Sequence, residues 1–406
     1  MPVIEVNGRT YALPRQPTVV ITIDGCEPAY LDDALARGLM PRLQALLAAG
    51  GSYARGRAHM PTLTNPNNLS IVTGVPPSRH GIPGNHCLVD AGSEPVQLVE
   101  PEFLRAETIH AAMRRAGCSV LAITAKDKLR RLLGSGGVPS ISAERAASLG
   151  LPEFGMQDIP AAVGRPVPSV YDWDLSHYAL EMGLAAHRRR AVDLLYVSLT
   201  DYVQHKQPPG GELADRFYAR LDNLLGEYLA EGFLVGVTAD HGMHAKPRIH
   251  FLEDCLRDAG LGGFQVVLPI TDPYVVHHGA LGSFAWVYLG SPRDLEPARE
   301  VLAGLVGVEE IYTRAEASEV YEHPADRIGD LSVAADASTA LGTSAARHDL
   351  SLVAGGLRSH GGRHEQSVPI IVSRPLHPAY AARLERGVAN SDLHDLLLNG
   401  VSGCAS

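Results

Sequence analysis

Three short apolar runs of this chain each stop at an aspartate: TVVITIDG at 18–25, DLLYVSLTD at 193–201 and FLVGVTADHG at 233–242. Each run is rich in β-branched residues and apolar at consecutive positions, the pattern of a strand buried on both faces. Such strands need cover above and below, and the sequence between them supplies it. Residues 29–50 carry apolar side chains at helical spacing with a terminal glycine, and Pro41 divides them into two helices. ETIHAAMRRAGC reads as a helix feeding the strand SVLAITA, and residues 213–231 read as a further helix. The alternation predicts an α/β fold, a mostly parallel sheet sandwiched by helices. In such sheets the carboxyl ends of the strands face the ligand crevice, which is where Asp24, Asp201 and Asp240 stand.

Two regions break the rhythm. Residues 132–172, rich in Gly, Ser and Pro, read as a long surface excursion. Residues 269–325 hold a strand (GSFAWVYLG), an amphipathic helix (DLEPAREVLAGLVG) and a second strand (GVEEIYT), and read as a small inserted α+β cap domain. The core is then 1–268 and 326–406, with DLSVAAD and VPIIVSRPL resuming its strands. The chain sets 35 Lys and Arg against 45 Asp and Glu, a net charge of −10 with no basic block, which argues against nucleic acid as a partner. To bind an anion, such a chain must bring positive charge locally, through metals, Lys or Arg. Five scattered cysteines without a CxxC pair argue against a disulfide framework or a thiolate zinc finger. The opening MPVIEVNGRT has no apolar signal core, and no apolar run is long enough to span a bilayer. The expectation is a soluble cytoplasmic protein with no membrane partner, a homodimer being left open.

Asp201 and His205, four apart, share one face of a helical turn and can chelate one ion, although this spacing is common by chance. Asp240 and His241 can serve one ion only if the chain turns after its strand, which Gly242 permits. With Asp24, one distant histidine would complete two three-ligand sets, and RSHGGRHEQ offers both His360 and His364. Oxygen and imidazole donors without thiolate suit Zn²⁺, with Mn²⁺ or Fe as alternatives. Two such ions about 4 Å apart would clamp a phosphoryl group. Thr64, in TNPN before a helix start, is placed for a nucleophile at a helix N-terminus, although Thr62, Thr64 and the asparagines read by themselves as caps. HGIPGNH supplies Asn85, whose amide can donate to a phosphoryl oxygen. In TAKDKLR, Lys126 and Lys128 lie two apart in an extended segment and point to one side, where they can converge on a small anion. With Arg130 and Arg131 they read equally as a solvated basic turn. His244, His277 and His278 carry no assignment.

Taken in order, VVITIDG, TNPN with its downstream TG, HGIPGN, TDYVQH, TADHGM and SHGG span residues 18–362. The set resembles the alkaline phosphatase superfamily, and within it the nucleotide pyrophosphatase/phosphodiesterase-like branch. More narrowly, TNPNNLSIVTG and TAKDKLR are similar to the phosphonoacetate hydrolases. The resemblance implies an alkaline-phosphatase-like fold with two divalent metals, one held by Asp201, His205 and His360, the other by Asp24, Asp240 and His241. It implies Thr64 as nucleophile and ligand, and Asn85, Lys126, Lys128 and His205 as substrate-binding residues. The family histidine lies in a His-Gly pair, which favours His360 over His364. The sulfatase CxPxR signature is absent, since CEPAY has Tyr30 where Arg belongs. The activity implied is hydrolysis of the carbon–phosphorus bond of a small phosphonate, phosphonoacetate, to acetate and phosphate. Cations at the substrate carboxylate would stabilise the charge that develops as carbon departs. The alternatives are a phosphodiesterase or nucleotide pyrophosphatase with the same metals, and a non-catalytic metal-stabilised binding protein. Only 6% of the chain is aromatic, which leaves little for a clamp on a nucleobase.

Overall fold

Five of the expected strands, those of TVVITIDG, SVLAITA, DLLYVSLT, FLVGVTADHG and VPIIVSRPL, lie side by side in one seven-stranded sheet. In chain order the strands are β1 (Thr18–Thr22), β2 (Ser52–Arg57), β3 (Val120–Thr124), β4 (Ser140–Ser142), β5 (Leu194–Ser198), β6 (Leu234–Thr238) and β7 (Ser367–Val372). Their spatial order is β2-β7-β6-β1-β5-β3-β4. These positions come from a computed structural model, which describes residues 2–88, 94–270, 281–353 and 355–402. Neighbours from β6 to β4 are parallel, while β7 runs antiparallel to both β6 and β2. The sheet is therefore mostly parallel, as the alternation predicts.

The helices around it include α1 (Pro28–Ala36), α2 (Pro41–Ala48), α3 (Thr64–Thr73), α4 (Ile109–Arg115), α5 (Asp127–Leu133), α6 (Leu175–Arg189), α7 (Tyr202–Lys206) and α8 (Glu212–Ala230). Pro41 opens α2, at the position where a missing N–H has no partner to lose. Alternate residues of β1 serve opposite layers. Val19 and Ile21 join a core with Tyr30 of α1, Tyr178 of α6 and Phe217 of α8. Val20 joins a second core with Leu69 and Ile71 of α3 and Met113 of α4. Each such buried aliphatic contributes about 1.5–3 kcal/mol, which is why the strands read as unbroken apolar runs.

A smaller antiparallel sheet is built from Phe264–Val267, Phe284–Leu289, Leu331–Ala335 and Val308–Thr313, in that spatial order. Here the sequence reading needs correction. DLSVAAD does not resume the main sheet: Leu331–Ala335 is an inner strand of the smaller one, paired with both Phe284–Leu289 and Val308–Thr313. VPIIVSRPL does return to the main sheet, as β7. Nor is 132–172 only a surface excursion. It contributes β4, and Phe154, Met156 and Ile159 are buried in the first core, so its glycines and prolines mark turns rather than exposure. His277 and His278 lie outside the described residues. Among those described, no helix is long and apolar enough to cross a membrane.

Thr238, Thr22, Ser198 and Thr124 stand in one row across β6, β1, β5 and β3. The residues that follow each strand are thereby delivered to one edge of the sheet: Asp240 and His241, then Asp24, then Asp201, then Lys126.

Candidate metal centre

At that edge the expected ligands gather into two triads. Asp24, Asp240 and His241 offer donor atoms within 4.8 Å of one another, and so do Asp201, His205 and His360. The rings of His241 and His360 stack with centroids 3.5 Å apart and planes at 7°, so the triads are immediate neighbours. Five of the six ligands are buried, and His205 shows 7% of its side chain at the mouth. His364 is elsewhere, exposed and paired with Glu309 at 2.8 Å.

Each imidazole is oriented by the backbone. Nδ1 of His241 donates to the carbonyl of Gly242 at 2.9 Å, Nδ1 of His205 to Arg358 at 2.7 Å and Nδ1 of His360 to Thr62 at 2.7 Å. In a neutral ring this leaves an Nε2 lone pair aimed into the site. Nε2 of His241 lies 3.2 Å from Asp24 Oδ1, and Nε2 of His205 lies 2.9 Å from Asp201 Oδ2. Lone pairs facing at that distance repel, whereas a cation between them makes both ligands. Tetrahedral donors at about 2.0–2.1 Å from zinc stand roughly 3.3 Å apart, close to these separations. Asp24 Oδ1 is moreover buried and accepts no hydrogen bond among the described residues. The residues present fit two divalent cations.

The electrostatics agree. Burial, together with the charges of Asp201 and Asp240, pushes the Asp24 carboxyl well above the usual carboxylate range. Burial and the charge of Asp201 raise Asp240 to about 7. Although burial works the other way for Asp201, Lys126 and the imidazoles of His205 and His360 hold it well below that range. Lys126 Nζ is 3.0 Å from Asp201 Oδ1.

Thr64 opens α3, and it is the one residue of that helix that is not buried. Its Oγ1 lies 3.4 Å from His241 Nε2. The helix start offers fewer amides to an anion than its position suggests: the Asn65 N–H is taken by Asn85 Oδ1 at 3.1 Å, and Pro66 has none. That bond fixes the carbonyl end of Asn85 and leaves its NH₂ as the end suited to a phosphoryl oxygen. Lys126 caps α5 with extended backbone (φ −101°, ψ 147°), but Lys128 lies inside its first turn. The two lysines are thus not on one extended segment as expected, though both remain at the N-terminus of α5. Lys128 is near enough to His86, the neighbour of Asn85, to help burial depress its pKa to about 4.

Two further residues, Asn68, to which the sequence assigns no separate role, and Thr62, read there as a cap, hold the site together. Asn68 Nδ2 donates to Asp240 Oδ2 at 3.1 Å and to the Thr64 carbonyl at 2.9 Å, while its Oδ1 accepts from the Tyr196 hydroxyl at 2.7 Å. It stands four residues after Thr64, one helical turn on, which is the signal that could have found it. Thr62 is buried. Its Oγ1 donates to the Gly362 carbonyl and accepts from the Gly361 N–H, so it pins the His360 loop.

A family model described as type I phosphodiesterase / nucleotide pyrophosphatase matches residues 18–364. Phosphonoacetate hydrolase from Sinorhizobium meliloti 1021, in crystal structures with phosphonoformate and with phosphonoacetate, is 41% identical to this chain, with a TM-score of 0.90 over 98% of each chain. Murine ectonucleotide pyrophosphatase / phosphodiesterase 5 shares the fold at 16% identity, with a TM-score of 0.64 over 96% of this chain and 97% of its own.

Proposed function

Since the chain belongs to the type I phosphodiesterase / nucleotide pyrophosphatase family, a branch of the alkaline phosphatase superfamily, we propose that it is a phosphonoacetate hydrolase. It cleaves the carbon–phosphorus bond of phosphonoacetate with one water, giving acetate and phosphate. The observation that carries this reading is the 41% identity, over 98% of both chains, to an enzyme of that activity.

The residue roles are assigned as follows. Asp201, His205 and His360 hold one divalent cation and Asp24, Asp240 and His241 the other, Zn²⁺ being the ion that this imidazole and carboxylate set suits. When bound, the cations supply charge neutralisation on the phosphoryl oxygens and acidify a nearby hydroxyl. Thr64 Oγ1 gives up its proton to solvent and attacks phosphorus, and the carbon–phosphorus bond breaks with its electron pair on carbon. That pair delocalises into the adjacent carboxylate, which Lys126 and Lys128 hold, and the carbon takes a proton from water to leave as acetate. Water then attacks the phosphothreonine at phosphorus, releasing phosphate and restoring the hydroxyl. The Asn85 NH₂ and His205 flank the phosphoryl group. The stretch 269–325, with the strands on either side of it, acts as the cap, and the Ser283 N–H, 2.9 Å from the His360 carbonyl, joins it to the centre.

Phosphate release from phosphonoacetate, measured beside a bis-nitrophenyl phosphodiester and methylphosphonate, tests the proposal. Phosphonoacetate should be much the best substrate, because only it brings a carboxylate to the lysines and a route to delocalise the carbanion. A higher kcat/KM for the diester would replace this reading with the phosphodiesterase one. No turnover by metal-loaded protein would leave a binding protein.

A further inference from the structure

One carboxylate behind the triads is as buried as the ligands themselves. Glu365 is 1% exposed and Lys246 2%, and they form an ion pair at 2.8 Å between residues 119 apart in the chain. Burying two charges is costly unless each is well paired and hydrogen-bonded, and here both are. Glu365 Oε1 accepts from Lys246 Nζ and from His244 Nδ1, both at 2.8 Å, and Oε2 accepts from the Gly362 N–H at 3.0 Å. Gly362 follows His360 by two residues, and the Lys246 segment follows His241. The Glu365 carbonyl also accepts from the Gly242 N–H at 2.7 Å, and the Gly242 carbonyl orients His241. Lys246 Nζ reaches on to the Ala337 carbonyl at 3.0 Å, in the turn after the smaller sheet's Leu331–Ala335 strand.

We propose that Glu365 is a positioning residue for the metal centre: its carboxylate clasps the loop bearing His360 to the segment bearing His241 and sets the spacing of the two triads. Lys246 anchors the clasp to the smaller sheet. The proposal rests on the triads being metal sites. Its test is the affinity of metal-stripped protein for Zn²⁺, read by competition with a chromophoric chelator, alongside the Tm of the same metal-free protein. Glu365→Gln should bind zinc roughly 10- to 100-fold more weakly, the range for groups that orient metal ligands. It should also unfold earlier, since Lys246 is left buried beside a neutral partner. Lys246→Met/Glu365→Gln removes both charges, so its metal-free Tm should return towards wild type while its zinc affinity stays low, because the tie between the loops is still cut. Recovery of affinity together with Tm would overturn the proposal, as would unchanged affinity in Glu365→Gln. Wild-type protein that binds no zinc would instead sink the metal reading itself, and this proposal with it.

Discussion

Asp201 and Asp24 follow neighbouring strands, β5 and β1, yet their carboxylates sit in opposite fields. Asp201 has Lys126 at 3.0 Å and His205 at 2.9 Å, and it is held well below the usual carboxylate range despite its burial. Asp24 is surrounded by burial and two further carboxylates, and it is pushed well above that range. The triad of Asp201 is balanced by the protein's own cation and opens at His205 towards the mouth. The triad of Asp24 is sealed, and like charges gathered in a low-dielectric site are unfavourable until a cation joins them. Both triads suit a divalent cation; the Asp201 triad also has Lys126 beside it, whereas the charges acting on Asp24 besides His241 are carboxylates.

Thr64 Oγ1 lies 3.4 Å from His241 Nε2 of the Asp24 triad, and removing it is the most severe test of the centre. Thr64→Ala should keep both bound metals, because each triad has three other ligands, and should lose turnover by roughly 10³-fold or more as the covalent route disappears. Metal content and phosphate release from one preparation decide it. If the variant lost the ion of the Asp24 triad, Thr64 would be a structural ligand of that triad rather than a nucleophile.

The lysines sharpen the contrast at the Asp201 triad. Lys128→Ala should lower kcat/KM for phosphonoacetate by roughly 10- to 1000-fold, taking about 1.5–4 kcal/mol for a hydrogen bond to a charged, desolvated group. It should barely change a nitrophenyl phosphate ester, which has no carboxylate. Lys126→Ala should affect both substrates, since it also strips Asp201 of its ion pair. Equal losses on both substrates in Lys128→Ala would assign the lysines to general anion attraction and favour a phosphodiesterase.

The contrast between the triads could not be read from the sequence, although most of its parts could. Strands that end in aspartate announced Asp24, Asp201 and Asp240, because period and position carry that information locally. Which strands are neighbours does not lie in any one segment, so the row β6-β1-β5-β3 that ranks the ligands beside Lys126 had to come from packing. DLSVAAD shows the same limit: a short apolar run ending in aspartate looks alike in either sheet, and only its partners decide. The KDK spacing suggested an extended pair, but the helix starts at Asp127 and absorbs Lys128. Lys246 and Glu365 left no trace at all. A lysine and a glutamate in turn segments read as surface residues until the fold brings them together and buries them.

The smallest expected effect concerns what stands behind the Asp24 triad. His244 places Nδ1 2.8 Å from Glu365 and Nε2 3.3 Å from Glu27, and those two hydrogen bonds raise its pKa to about 9 despite partial burial. Its unfolded value is about 6.5. A base whose pKa rises on folding contributes stability that is fully present below about 6.5 and is lost as pH climbs through the folded value. By linkage the rise is worth about 3 kcal/mol, but a third of the side chain is exposed (33%), and screening reduces the expected contribution to about 1–2 kcal/mol. Wild type should therefore be more stable than His244→Gln near pH 6–7, with the gap in Tm closing as pH approaches 10. Groups that titrate alike in both proteins cancel in that difference. A gap that stays constant from pH 6 to 10 would mean that the ring is neutral throughout, leaving Lys246 as the cation facing Glu365 behind the Asp24 triad.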